Sequence, residues 1–86
     1  MCDIIAVKPI TYRPAALRAL TGLPKRDRLA ILAKLARYAE TGAGDVRALS
    51  GRPGARLRVG DYRIVFVEDE AGIDVALIGH RRDVYE

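Results

Sequence analysis

The stretch Ala55-Arg56-Leu57-Arg58-Val59-Gly60-Asp61-Tyr62-Arg63-Ile64-Val65-Phe66 constrains the fold more than any other part of this 86-residue chain. Apolar and basic residues alternate with a period of two up to Gly60-Asp61, which is the pattern of a strand with one apolar and one cationic face. Gly60 tolerates the positive φ that a two-residue hairpin turn needs, so the stretch reads as a β-hairpin whose register is set by its loop length. Val59 then faces Tyr62, Arg58 faces Arg63, Leu57 faces Ile64 and Arg56 faces Val65. Leu57, Val59, Tyr62 and Ile64 share one face; Arg56, Arg58 and Arg63 share the other.

Like charges placed directly opposite each other in a ladder destabilise it. Three arginines on one face therefore admit two readings: an anion that is usually bound there, or a solvated outer face on which the guanidinium stems cover the sheet.

The rest of the chain supplies what a hairpin lacks. Ile4, Ile5 and Val7 make residues 3–7 a short first strand that ends by Pro9. Thr11 or Tyr12 then leads into a helix with Pro14 in its first turn, where a missing N–H costs little, and with Leu17 and Leu20 as its buried residues. Gly22 stops that helix and Pro24 starts a second, from about Pro24 to Thr41. At 100° per residue, Leu29, Ile31, Leu32, Leu35, Ala36 and Ala39 occupy one half of the second helix. Arg26, Asp27, Lys34, Arg37 and Glu40 fall on the other, a solvated face. Thr41-Gly42-Ala43-Gly44 closes it. Signals are mixed from Asp45 to Gly54, where Val46 and Leu49 can pack and Ser50-Gly51-Arg52-Pro53-Gly54 is rich in turn residues. The second hairpin strand runs to about Val67, Glu68-Asp69-Glu70-Ala71-Gly72 is an acidic turn, and Ile73 to Ile78 form a last strand.

The predicted order is β-α-α-β-β-β in one domain over residues 1–86, an α+β fold. Short loops join the last three strands into an antiparallel meander, and the two helices pack on one face of this mainly antiparallel sheet. The arginine face of the hairpin is the face the helices leave open.

Composition narrows the function classes. Hydrophobic residues make up 50% of the chain and charged residues 30%, which is the balance of a small globular domain. No apolar run approaches the roughly 20 residues of a membrane-spanning helix, and Met1-Cys2-Asp3 begins no signal peptide, so a cytoplasmic location without membrane contact is expected. The single cysteine, Cys2, allows no internal disulfide and reads as a small residue near a strand start rather than a reactive thiol. One cysteine and one histidine give no basis for a structural zinc site, and neither a metal nor a cofactor is expected. The 15 basic residues outnumber 11 acidic ones, and arginine supplies 12 of them. Guanidinium suits bidentate phosphate contact, so this bias is compatible with a nucleic-acid partner. A GC-rich genome would produce the same preference.

Three blocks, Leu49-Ser50-Gly51-Arg52, Arg56-Leu57-Arg58-Val59-Gly60-Asp61-Tyr62-Arg63-Ile64-Val65-Phe66 and Ile78-Gly79-His80-Arg81-Arg82-Asp83-Val84-Tyr85, resemble the RelE/ParE superfamily of bacterial toxins in order and spacing. The Arg-x-Gly-Asp-Tyr-Arg hairpin with a terminal Gly-His-Arg-Arg-x-Val-Tyr is closer to the RelE branch. The resemblance implies a toxin of a type II toxin–antitoxin pair, neutralised by a cognate protein antitoxin. RelE members enter the ribosomal A site and cut messenger RNA there without a metal; ParE members share the fold and poison DNA gyrase. The implied partners are therefore the antitoxin, with the ribosome and mRNA, or alternatively gyrase. A member that has lost activity and mainly binds its antitoxin is a third reading.

Metal-free RNA cleavage needs a proton removed from a 2′-hydroxyl, a phosphorane whose charge is stabilised, and a proton for the departing 5′-oxygen. By the resemblance, Arg56 and Arg58 stand where RelE enzymes often carry lysines. Arg63 matches the second-strand arginine, Arg81 the arginine after the last strand, Tyr85 the terminal tyrosine, and His80 a position held by lysine or histidine. Guanidinium stays protonated at ordinary pH, so proton transfer falls to His80 or Tyr85 among these candidates. Each also has a structural reading: His80 as a hydrogen-bonded residue of the fold, Tyr85 as packing for the chain end, and Arg81 with Arg82 as a solvated doublet.

Overall fold

The computed structural model describes residues 8–49, 51 and 53–80. The expected first strand over residues 3–7 lies outside them, as do Cys2, Arg81 and Tyr85. In chain order the described elements are β1 (Ile10–Tyr12), α1 (Pro14–Thr21), α2 (Lys25–Thr41), β2 (Val46–Ala48), β3 (Ala55–Val59), β4 (Tyr62–Glu68) and β5 (Ile73–His80). They form one five-stranded sheet in the order β1-β5-β4-β3-β2, antiparallel except for the β1–β5 pair. The α+β architecture with two helices before a meander is the one expected from the sequence. It is extended by a short edge strand, β2, in the stretch where the sequence signals were mixed.

Local chemistry explains the helix boundaries. Pro14 opens α1 in its first turn, so the turn expected to lead in at Thr11 or Tyr12 is instead β1, whose Ile10 and Tyr12 pair with Ile73 and Val75 of β5. Gly22 caps α1 in right-handed geometry at φ −83°, donating its N–H to the carbonyls of Arg18 and Ala19. Pro24 two residues later disfavours helix at Leu23 and ends it. Gly42 closes α2 in the left-handed region at φ 76°, with its N–H 2.8 Å from the Tyr38 carbonyl. Asp27 sits in the first turn of α2, where a carboxylate complements the helix dipole.

The core lies between the helices and one face of the sheet. Ala16 and Leu20 of α1 and Ile31, Leu35 and Ala39 of α2 cover Leu57, Val59, Ile64, Phe66, Ile73, Val75 and Ile78. Tyr38 of α2 stacks at a tilt on Phe66, with ring centroids 5.3 Å apart. Three expected core positions are not in it: Leu17 is 48% exposed, Leu29 is 52% exposed, and Ala36 is exposed as well. The buried stripe of α2 is the narrow row Ile31, Leu35, Ala39 at spacings of four, and Leu29 lies about 200° round the helix from Ile31.

A bulge sets the facing of β5. Val65 pairs with Leu77 and Phe66 with Val75, so Ala76 is the extra residue. The side-chain alternation changes parity there. Ile73 and Val75 point into the core before it, Ile78 points in after it, and Leu77 is left 41% exposed on the other side.

Candidate functional site: an arginine face on the open side of the sheet

The hairpin forms in the register its loop length predicts: Val59 pairs with Tyr62, Arg58 with Arg63, Leu57 with Ile64 and Arg56 with Val65. Gly60 adopts φ 59° and Asp61 does not have positive φ, the pattern of a type II′ turn. With Leu57, Val59 and Ile64 in the core, Arg56, Arg58 and Arg63 share the opposite face, away from the helices.

Two further residues join them. β2 pairs with β3 so that Arg47 stands directly opposite Arg56. The carbonyl of Asp45, just before β2, accepts the Arg58 N–H at 3.0 Å and ties that loop to the hairpin. Asp45, Arg47, Arg56, Arg58 and Arg63 line one cleft of about 160 Å³. Partial burial, followed by the neighbouring Arg63 and Arg47 guanidiniums, pulls Arg56 below the usual arginine range, while Asp45 pushes it back. The Arg58 Nε lies 3.5 Å from the Gly60 carbonyl, which turns this side chain toward the hairpin tip.

Beside the arginines the open face is apolar. Val65, paired with Arg56, is buried against Leu49, and together with Pro53, Val67, Ala76 and Leu77 they line a shallow groove. The loop carrying Leu49 folds back through a hydrogen bond from the Leu49 N–H to the Gly54 carbonyl. A Cβ at Gly54 would meet the Phe66 carbonyl oxygen at 3.0 Å, so glycine permits this close approach.

His80 is not part of the arginine face. It pairs with Tyr62 across β4 and β5, and the two rings meet edge to face with centroids 6.0 Å apart. Arg63, one residue along, pairs with Gly79 and points the other way. On the helix side of the sheet the Tyr62 hydroxyl donates to Asp27 Oδ2 at 3.1 Å, joining the start of β4 to the first turn of α2. That hydrogen bond, with burial and the Asp27 charge, raises Tyr62 above the usual phenol range. Arg26, Asp27, Asp61, Tyr62 and His80 border a cleft of about 440 Å³ on this side. Among the described residues no cluster of three or more histidine, cysteine, aspartate or glutamate side chains is arranged to hold a metal ion. No helix among them is long and apolar enough to cross a membrane.

Residues 10–85 match the ParE toxin family, the ParE toxin of the type II toxin–antitoxin system parDE. The chain belongs to this family, within the RelE/ParE superfamily.

The fold of this ParE-family toxin is also that of solved toxin structures. The RelE–RelB complex from Pyrococcus horikoshii superposes with a TM-score of 0.76 at 20% identity, covering 92% of this chain and 100% of that one. The RelB–RelE complex from Methanococcus jannaschii gives 0.72 at 20% identity over 87% and 94%. The YoeB dimer from Staphylococcus aureus gives 0.73 at 21% identity over 87% and 98%. No curated protein sequence matches the chain.

Of the six site residues expected from the sequence, the ParE-family fold brings Arg56, Arg58 and Arg63 together and puts His80 across the sheet from them. Asp45 and Arg47 were not anticipated. The signal for them was present only in part: Arg47 follows Val46, but a three-residue edge strand shows too little alternation to be read, and without its register nothing assigns Arg47 to the face of Arg56.

Proposed function

We infer that this toxin acts on RNA, cleaving messenger RNA on the ribosome by attack of a 2′-hydroxyl on the adjacent phosphorus. The observation that carries this reading is the Arg58–Arg63 pair with Arg56 and Arg47 alongside. Four guanidiniums on one open face repel one another, and a phosphate between them converts that repulsion into attraction. The same donors stabilise the additional charge of a phosphorane. The resemblance adds Arg81 and Tyr85 at the end of the chain, Arg81 as a further cation and Tyr85 as a proton donor or acceptor. A cognate antitoxin with an acidic and apolar segment suits the open face, where the arginines adjoin the groove of Leu49, Val65 and Leu77.

The second reading is a gyrase inhibitor without chemistry of its own. The match to the ParE toxin family favours it, and so does the separation of His80 from the arginines. Expression in cells separates the two. Under the RNA reading, protein synthesis stops within minutes without induction of the DNA-damage response. Early double-strand breaks with translation still running would establish the gyrase reading instead.

A further inference from the structure

Activation of a 2′-hydroxyl requires a group that accepts a proton, and four of the five side chains lining the arginine cleft cannot, because guanidinium holds its proton at any pH at which the protein works. The fifth is Asp45. Its backbone is fixed by the hydrogen bond from the Arg58 N–H to its carbonyl at 3.0 Å, and by the Val46 N–H bonded to the Gly44 carbonyl at 3.1 Å. Its carboxylate is close enough to Arg56 to act on that guanidinium. Arg47 of β2, Arg56 and Arg58 of β3 and Arg63 of β4 surround it with positive charge. His80 stands on the far face of the sheet, with Tyr62.

We propose that Asp45 is a catalytic residue, the general base that takes the 2′-hydroxyl proton of an RNA strand whose scissile phosphate is held by the arginines of the same cleft. The assignment rests on the RNA-cleaving reading above. In the step it supports, the proton of the 2′-hydroxyl passes to the Asp45 carboxylate as the 2′-oxygen bonds to phosphorus. The bond from phosphorus to the 5′-oxygen then breaks, and that oxygen takes up a proton from water. The products are a 2′,3′-cyclic phosphate and a 5′-hydroxyl, and Asp45 returns its proton to solvent. The substrate class follows from the nucleophile: RNA, and not DNA, carries the 2′-hydroxyl.

A base inside a phosphate site has an opposite effect on binding. A carboxylate among phosphate-binding arginines repels the ligand, so its neutral replacement should bind at least as tightly while reacting more slowly. The experiment compares wild type, Asp45→Asn, Asp45→Glu and Arg63→Gln in single-turnover cleavage of messenger RNA on programmed ribosomes. Binding of a message carrying 2′-deoxy substitution at the scissile nucleotide, which cannot react, is measured in parallel. Asp45→Asn is expected to bind that message as tightly as wild type or more tightly, and to cleave about 100-fold more slowly. Asp45→Glu should recover part of the rate, and Arg63→Gln should lose binding and cleavage together. An Asp45→Asn rate within a few-fold of wild type, beside an inactive Arg63→Gln, would remove Asp45 from the mechanism and leave the RNA reading intact. Loss of binding in Asp45→Asn would mean a structural role and likewise overturn the proposal. Absence of cleavage by folded wild-type protein would overturn both the assignment and the reading beneath it.

Discussion

Arg58 and Arg63 stand directly opposite each other in the β3–β4 ladder, one pair beyond the two-residue turn at Gly60-Asp61. Neither the turn nor the core allows them to separate. A one-residue slip would turn Leu57 and Ile64, both fully buried, out to solvent. The repulsion is therefore built in by the same register that assembles the core, and an anion bound at this face would lower it.

Replacing Arg63 by Gln should abolish toxicity while leaving the protein folded, because Leu57 and Ile64, not Arg63, fill the core. Urea unfolding of the purified variant and growth of cells expressing it check the two halves. Phosphate should raise the unfolding midpoint of wild type more than chloride at equal ionic strength, and this extra gain should disappear in Arg63→Gln. An equal response in both proteins would show that the arginine face holds no anion.

The pH dependence of stability should reflect a group far from the arginines. Tyr38 donates to Glu68 Oε1 at 2.6 Å, and Lys8 Nζ contacts Glu68 Oε2 at 2.8 Å. The hydrogen bond to Glu68, with burial and the carboxylate charge, pushes Tyr38 from 10.0 up to about 12. The folded state holds this proton more tightly than the unfolded chain, so the contribution is complete below pH 10 and is lost as pH rises toward 12. Lys8 and Tyr38 hold Glu68 below its ordinary 4.5, so its contribution is present above that value and is lost as pH falls through the lowered value. Tyr38→Phe should remove the alkaline loss and cost about 1 kcal/mol at neutral pH. Thermal unfolding from about pH 2 to pH 12 measures both.

Gly72→Ala should damage the parallel β1–β5 pairing. A Cβ at Gly72 would lie 2.6 Å from the Pro9 carbonyl oxygen, which accepts the Ile73 N–H at 2.9 Å. The backbone must move to relieve the contact, at a cost of about 1–3 kcal/mol. Urea unfolding checks the loss, and hydrogen exchange at Ile73 should accelerate with it.

Tyr62→Phe should separate the two faces of the sheet. Losing the hydrogen bond to Asp27 should lower the unfolding midpoint, because it frees the start of α2 from the hairpin. Affinity for phosphate at the arginine face should stay within about twofold of wild type, since Tyr62 points to the other side. A phosphate titration followed by NMR measures this directly.

How legible these features were depends on how local their causes are. The hairpin and its cationic face follow from one turn and a period of two, both contained in twelve residues. α2 was legible in extent, but its apolar half-circle is wider than the stripe that packs, so Leu29 was counted in the core. Thr11 and Tyr12 read as the lead into a helix because the partners of β1, Ile73 to Val75, are more than sixty residues away. The bulge at Ala76, which turns Leu77 outward, leaves no mark in the continuous apolar run from Val75 to Ile78. The same non-locality hid Asp45 and Arg47: their place beside the arginines comes from the pairing of β2 with β3. His80 joins the arginines by the resemblance alone; in the sheet it pairs with Tyr62, while Arg63, next to Tyr62, points to the opposite face.

That the arginine face serves RNA cleavage is tested by primer extension on a defined messenger RNA incubated with purified, antitoxin-free protein, with and without programmed ribosomes. If it does, cuts appear at the A-site codon only when ribosomes are present, and they are lost in Arg63→Gln. Intact message beside folded protein that still kills cells and inhibits gyrase supercoiling would contradict it.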